Sequence, residues 1–309
     1  MSVLKDEMKG FVPTETADEI VKLAVRGSSV LRLAKVEPMT SEKKKVPVMT
    51  EGAGAYWVGE GKRIKTSKAT WIFPELVAKK LAVIIPCSKE KLEDATIDVF
   101  SELKETIAEA FYVAIDAAAL FGINSPFEKN VFDVAAEKGN LIVRGTGDTF
   151  DLDVSATMGL VEDASMDVNG HAAHNGIKNT LRQLRDKNGN MIYFPGTDTQ
   201  QLYNNPIEFC RNGAWDKNKA ELIVGDWSKL LAGIRQDIEY EILKEATLMD
   251  TLDDDGKPLS LAEQDLIAIK ATMRVGILQV MDGAFAVVVP EDYGKSSTDD
   301  TDKEEQENG

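Results

Sequence analysis

Two histidines, a run of aspartates and two glycine-rich stretches are the places where this chain could do chemistry. His171 and His174 stand three apart, a spacing that lets two imidazoles share a metal ion on a helix. No cysteine or carboxylate lies beside them at ligand spacing, which favours a loop or strand pair without metal. Asp253-Asp254-Asp255-Gly256 resembles a calcium loop. With Gly256 at its sixth position, however, the first and twelfth fall on Thr251 and Ala262, and neither brings a carboxylate. Gly52 and Gly54 fit the first two positions of a dinucleotide fingerprint, but Trp57 takes the third and no strand–helix context surrounds it. Gly294-Lys295-Ser296 ends like a phosphate loop whose upstream glycine would fall on Val289. Cys87 and Cys210 suit no metal spacing and read as two free thiols. The expectation is a protein that is not an enzyme, with no catalytic residues, cofactor or metal.

Composition excludes further classes. The chain has 309 residues, with 52 acids against 36 bases and a net charge of −16, whereas dedicated nucleic-acid binders carry a basic footprint. No apolar run approaches the roughly 18 residues that span a bilayer, and the first ten residues lack a signal peptide's apolar stretch. No membrane partner is expected.

What remains is a set of elements that need one another. Phe100, Leu103, Ile107, Phe111, Ala114, Ala118 and Phe121 recur at steps of three and four, predicting one helix over 96–121. Thr96 is its N-cap, Asp98 sits in its first turn, Gly122 ends it, and Glu102, Lys104, Glu105 and Glu109 mark wet faces. Before it, residues 1–38 read as an arm with a short helix around Ile20, Leu23 and Ala24. Gly27-Ser28-Ser29 breaks that helix and a second apolar piece, Val30 to Ala34, follows. Lys43 to Cys87 reads as a long β-hairpin with a broad Gly-rich turn around Tyr56-Trp57. Beyond the helix, Leu141 to Val143 predicts a strand, Leu152 to Ala164 a helix, and Ile177, Leu181 and Leu184 a short helix. Leu222 to Val224, Ile234 to Leu243, Leu266 to Val280 and Ala284 to Val289 predict strands, the last two returning to the long helix. Ser296 to Gly309 has six acids, one lysine and no aromatics, a composition of disorder. Neither arm nor hairpin buries enough surface to stand alone.

Several stretches together resemble the tailed-bacteriophage major capsid proteins, the Hong Kong 97 fold. The first is Ala55-Tyr56-Trp57-Val58-Gly59-Glu60-Gly61, similar to the family's Trp-Val-x-Glu stretch. The second runs from Lys79-Lys80-Leu81-Ala82 through Ser88 to Asp94 into the long helix and its closing Asp116 to Gly122. The third is Gly225-Asp226-Trp227-Ser228, Arg235, Asp265 to Arg274 and Gly283 to Ala286. Leu181 to Gly189 matches Leu-x-x-Leu-x-Asp-x-x-Gly. The resemblance implies an α+β capsid fold: arm 1–38, extended loop 39–87, peripheral domain 88–149 with the spine helix, axial domain 150–262, return strands 263–293 and acidic tail 294–309. It also implies a homo-oligomer, with hexamers and pentamers closing an icosahedral shell of the virion, assembled in the bacterial host cytoplasm. Such a shell encloses double-stranded DNA without sequence-specific binding and works with separate scaffolding, portal and decoration proteins.

Charge suggests how neighbouring copies meet. Lys43 to Pro86 carries +6 (nine bases, three acids), and Lys89 to Phe121 carries −5 (three bases, eight acids). Trp57, Glu60, Lys62, Arg63, Lys65 and Lys68 on the loop are therefore expected to meet Glu93, Asp94, Asp98, Glu102, Glu105 and Glu109 on a neighbour's spine. Some family members crosslink a loop lysine to an asparagine assisted by a glutamate. Aligned on Arg274, those two positions hold Asp265 and Thr272, so no crosslink is expected. Met1 lies close to the arm, which suggests a separate scaffold or none. Rival readings are an encapsulin-like compartment enclosing protein cargo, a hydrolase using carboxylates around Asp253 to Asp255, and an adhesin-like module, disfavoured by the missing secretion signal.

Overall fold

The computed structural model describes residues 27–51, 55–58, 60, 62–63, 66–88, 99–191, 201–252 and 256–294. The expected first arm helix, Thr96, Asp98, Asp253 to Asp255 and the tail from Ser296 lie outside them. Two compact units form, Met1–Lys129 with Ser228–Met281 and Asn130–Trp227 with Asp282–Gly309. Their limits differ from the expected segments. Leu230–Leu243, expected within 150–262, pairs along its length with Leu266–Gln279 and so belongs to the first unit. Residues 130–149, expected with the spine, belong to the second.

In the first unit the spine helix spans Val99–Phe121. Ile107, Phe111, Ala118 and Phe121 are buried, as their spacing requires. Ile115, Asp116, Ala117, Ala119 and Leu120 are buried too, so the last two turns have no wet face. Three consecutive alanines make the helix thin enough there for other chain to close around it. Gly122 takes φ 69° at the end, and the Ile123 N–H turns back to the Ala117 carbonyl at 3.2 Å.

Part of that closing chain is the base of the arm. Ser29–Leu33 is a one-turn helix capped by Ser28, whose Oγ accepts from the Leu31 N–H at 3.0 Å. Asp116, fully buried, accepts from Ser28 Oγ (2.5 Å), the Ser29 N–H (3.0 Å) and the Val30 N–H (3.1 Å). One turn earlier on the spine, the Tyr112 ring lies so close to Gly27 that any Cβ there would collide with it. The arm's base thus rests on its own chain's spine. Gly27-Ser28-Ser29, which the sequence marks only as a break, is the anchor.

The first unit's sheet orders Lys35–Met39, Leu230–Leu243, Leu266–Gln279 and Lys79–Ser88, the first pair parallel and the others antiparallel. Ile269, Ala271, Met273, Val275 and Ile277 alternate onto its buried face. Lys79–Ser88 was expected in the hairpin. It is an edge strand of this sheet instead, paired from Lys79↔Val275 to Ser88↔Leu266, because a period-two pattern fits any antiparallel partner and the fourteen-residue strand offers a longer one. The hairpin proper pairs Lys43–Lys45 with Glu75–Val77 and Val48–Glu51 with Thr70–Ile72. Its root crosses the sheet where Gly233 and Gly276 stand opposite one another. A Cβ on Gly233 would run into Met39 Sδ, and one on Gly276 would lie 2.8 Å from the Val77 carbonyl oxygen. The two glycines form a notch that seats Met39, Leu76 and Ala78, all buried.

The second unit is built on a six-stranded sheet ordered Leu141–Val143, Phe285–Val289, Leu222–Gly225, Gly170–His174, Asn205–Cys210 and Gln201–Leu202. Phe285–Val289, expected to return to the spine, pairs here with Leu222–Gly225 and Leu141–Val143. Helices Phe150–Asp163 and Ile177–Gln183 supply Phe150, Val154, Ile177 and Leu181 to one core with Ala173, Ile207, Phe209, Leu222 and Val288. His171 and His174 share a strand, where a separation of three turns side chains to opposite faces, so no metal on a helix is shared. His171 is fully buried, and its Nε2 lies 3.1 Å from the Leu202 carbonyl.

Two outcomes follow. Asp116→Ala strands three donors at the foot of the arm and should lower stability by about 3 kcal/mol in urea unfolding, with Asp116→Asn losing less. Burial lowers the His171 pKa from 6.5 to about 4, against the opposing effect of the Leu202 carbonyl. The unfolded chain therefore takes up a proton that the folded chain refuses, and stability falls as pH drops from about 6.5 toward 4. The contribution is about 3 kcal/mol. Urea midpoints of wild type and His171→Gln should converge across that window, and parallel midpoints would exclude it.

Candidate assembly surfaces

The hairpin is the most conspicuous surface of the first unit. At its root the lysines are already matched. Lys43 and Lys45 approach Glu75 at 3.8 and 3.7 Å, while Lys44 and Lys35 reach Glu37 at 2.6 and 3.0 Å. Those two ammonium groups, Lys44 foremost, hold the Glu37 carboxyl below the usual carboxylate range. With Lys79 and Lys80 assigned to the sheet edge, the stretch from Lys43 to Ala78 carries +4 (seven bases, three acids).

Beyond the root, the ladder sets Met49 opposite Trp71 and Val48 opposite Ile72. Met49, Trp71, Ile72 and Phe73 stay between 43% and 59% exposed, and Trp57 is wholly bare at 105%. A two-stranded ribbon has no second layer on either face, so side chains suited to a core remain in water. Around Trp57, Glu60, Lys62, Arg63 and Lys68 are exposed. Lys65 lies outside the described residues. Apolar anchors ringed by cations can bind an acidic surface that also offers apolar contact.

On the spine, Glu109 is exposed, and Glu102 and Glu105 lie in the same helix. Glu93, Asp94 and Asp98 lie outside the described residues. The hairpin and spine residues named from the sequence that the structure describes are therefore on separate elements of one unit. A further basic row was not read from the sequence: Arg274 pairs with Arg235 on one side and Lys80 on the other. Like charges set directly across a sheet repel. Only strand register brings these three together, since they are scattered along the chain.

In the second unit the Gly225-Asp226-Trp227 stretch is structural. Gly225 passes against Ala284 and Phe285 too closely for a side chain, and Trp227 meets Phe285 edge to face at 5.1 Å. Asn169 ties both neighbours, donating to Asp226 Oδ1 (2.7 Å) and accepting from the Trp227 N–H (2.8 Å). In the Leu181 to Gly189 stretch, Asp186 accepts from the Asn188 and Asn190 N–H groups, and Gly189 takes φ 84° to close the turn. These stretches place backbone rather than chemistry.

The chain matches the phage capsid family over residues 9–289. It belongs to that family. It is 36% identical over 294 residues to the major capsid protein of Staphylococcus phage 80alpha, covering 94% of this chain and 88% of the other. It is 25% identical over 276 residues to the probable major capsid protein gp17 of Mycobacterium phage L5, covering 85% and 84%. A solved structure from Microbacterium phage Oxtober96 aligns with a TM-score of 0.73 at 30% identity, over 85% of this chain and 91% of that one. The fold is thus the α+β Hong Kong 97-type capsid fold, and the role of the family is structural.

Proposed function

We propose that this capsid protein assembles with copies of itself through the hairpin, whose tip docks on the acidic spine of a neighbour. The bare apolar side chains around Trp57, flanked by Lys62, Arg63 and Lys68, carry this reading: no described residue of the first unit covers them, and a neighbouring copy offers both charge and surface. The arm before Gly27 takes the same role against another neighbour, while its base stays fastened to its own spine. Hexamers and pentamers then close an icosahedral shell by heterologous contacts whose closure symmetry sets. The first unit supplies the peripheral domain and the second the axial domain. The shell encloses double-stranded DNA in the virion, after assembly in the bacterial host cytoplasm with separate scaffolding, portal and decoration proteins. The acidic chain suits that content, because few basic contacts mean little phosphate binding to undo at release.

Reversing Lys62, Arg63, Lys65 and Lys68 to Glu should slow assembly, followed by light scattering, and abolish its salt dependence. Unchanged kinetics would refute hairpin-to-spine docking. DNA rather than a cargo protein should be found inside purified particles.

Asp265 and Thr272 occupy the amide and base positions of the family's crosslink. Thr272 is buried within its strand, and Asp265 precedes that strand at φ 50°. Neither residue offers an amide to a lysine. Boiled particles should run as monomers on a denaturing gel, and a ladder of multimers would contradict this.

A further inference from the structure

We propose that Asn175-Gly176 is a self-modifying site, where the His174 imidazole takes the proton of the Gly176 amide and that nitrogen displaces ammonia from the Asn175 side chain. Glycine after asparagine favours such a ring closure, because it has no Cβ to hinder its own nitrogen. The sequence holds five Asn-Gly pairs, beginning at Asn169, Asn175, Asn188, Asn212 and Asn308. The last lies outside the described residues. The other four belong to the second unit, which treats them differently.

Three of them have one reacting group tied up. The Asn169 side chain is clamped, donating to Asp226 Oδ1 at 2.7 Å and accepting from the Trp227 N–H at 2.8 Å. Asn212 Oδ1 accepts from Cys210 Sγ and from the Ala214 N–H at 3.2 Å. After Asn188, the Gly189 N–H is spent on the Asp186 carbonyl at 3.0 Å. Asn175 is the exception. It stands exposed in the turn between Gly170–His174 and Ile177–Gln183, and among the described residues its side chain has no hydrogen-bond partner. The Gly176 N–H donates to His174 Nδ1 at 3.0 Å. The ring lies so close that a Cβ on Gly176 would stand 2.8 Å from both Nδ1 and Cε1, so glycine is what admits the imidazole to this amide.

An imidazole that accepts at Nδ1 is neutral, with its proton on Nε2. Partial burial first, then Lys217, lower the His174 pKa, which keeps the ring in that form at neutral pH. Its distance from the Gly176 nitrogen is within the reach of a general base. The proton passes from that nitrogen to Nδ1 as the nitrogen bonds to Asn175 Cγ. It then passes to the side-chain nitrogen, the bond from Cγ to that nitrogen breaks, and ammonia leaves a cyclic imide. Water opens the imide at either carbonyl, giving aspartate or isoaspartate. His174 ends as it began, but the asparagine is consumed, so each chain reacts once and nothing turns over. The new carboxylate arrives among cations. Burial first, then Arg211 and Arg182, lower the Lys178 pKa, so these three feel one another as Lys217 and His174 do. Among the described residues, Lys178, Arg182, Arg211 and Lys217 have no carboxylate at ion-pair distance. Their positive potential favours the oxyanion of ring closure and then the acid that remains.

No assembly is needed for this chemistry, so the unassembled full-length chain is aged in neutral buffer, digested with trypsin and compared with an unaged digest. Fragmentation in the mass spectrometer locates each amide-to-acid conversion, and Asn169 and Asn175 share the peptide Gly145–Lys178 as an internal comparison. Asn175 should convert about tenfold faster than Asn169, Asn188 and Asn212, with isoaspartate among its products as the mark of the imide. In urea the four rates should converge. His174→Gln, its fold checked by circular dichroism, should slow Asn175 by about tenfold. Equal rates in the folded chain, a lead for another site, aspartate as the sole product, or an unchanged Asn175 rate in folded His174→Gln overturns the proposal. The wild-type comparison of folded with urea-unfolded chain decides it even where that variant does not fold.

Discussion

A carboxylate removed from water must be given hydrogen-bond donors, and Asp116 receives three from a single stretch of chain 86 to 88 residues away. That requirement joins the two ends of the first unit's architecture. It fixes where the arm can begin, because Ser28, Ser29 and Val30 must meet the spine at one turn. It also lets the spine be buried on every side near its end without leaving a charge unanswered. The strand Lys35–Met39 starts directly after this anchor, so the edge of the first unit's sheet inherits its position from the same contact.

Seen from that anchor, the hairpin is the complementary case. Its root is fully accounted for, with lysines matched to Glu37 and Glu75 and apolar side chains set into the glycine notch. Its outer part is left open on both faces, with aromatic and aliphatic residues that would be core positions in any two-layer structure. One element thus changes from satisfied to unsatisfied along its own length. A protein that functions alone has no reason to keep such a ribbon. A family whose members build capsids does.

The elements with a strong local period were readable from the sequence. The spine showed itself through seven apolar residues at helical spacing, and its end through Gly122. The strands around Leu141, Leu222, Ile234 and Leu266 showed themselves through their β-branched runs. What could not be read was partnership. Lys79–Ser88 has the same alternation whether it belongs to a hairpin or a sheet edge, and Phe285–Val289 would suit either unit's sheet. Asp116 looked like one more acid on an acidic helix, because its donors lie far away in the chain. Gly233 and Gly276 form a notch only once the register sets them face to face. Among the residues expected to join neighbouring copies, Lys62, Arg63 and Lys68 are exposed, while the charge count also included Lys43, Lys44 and Lys45, which pair with Glu75 and Glu37 at the hairpin's root.

The glycine notch also has a mechanical side. From Lys43 to Glu51 the paired stretch extends by at most about 26 Å at about 3.3 Å per residue, and its inner end is clamped. With such a lever, a tilt of roughly five degrees at the clamp would sweep its far end through about 2 Å. Identical copies could then meet neighbours at slightly different angles while their folded bodies stay unaltered, the compliance residing in one crossing point rather than being spread through the core.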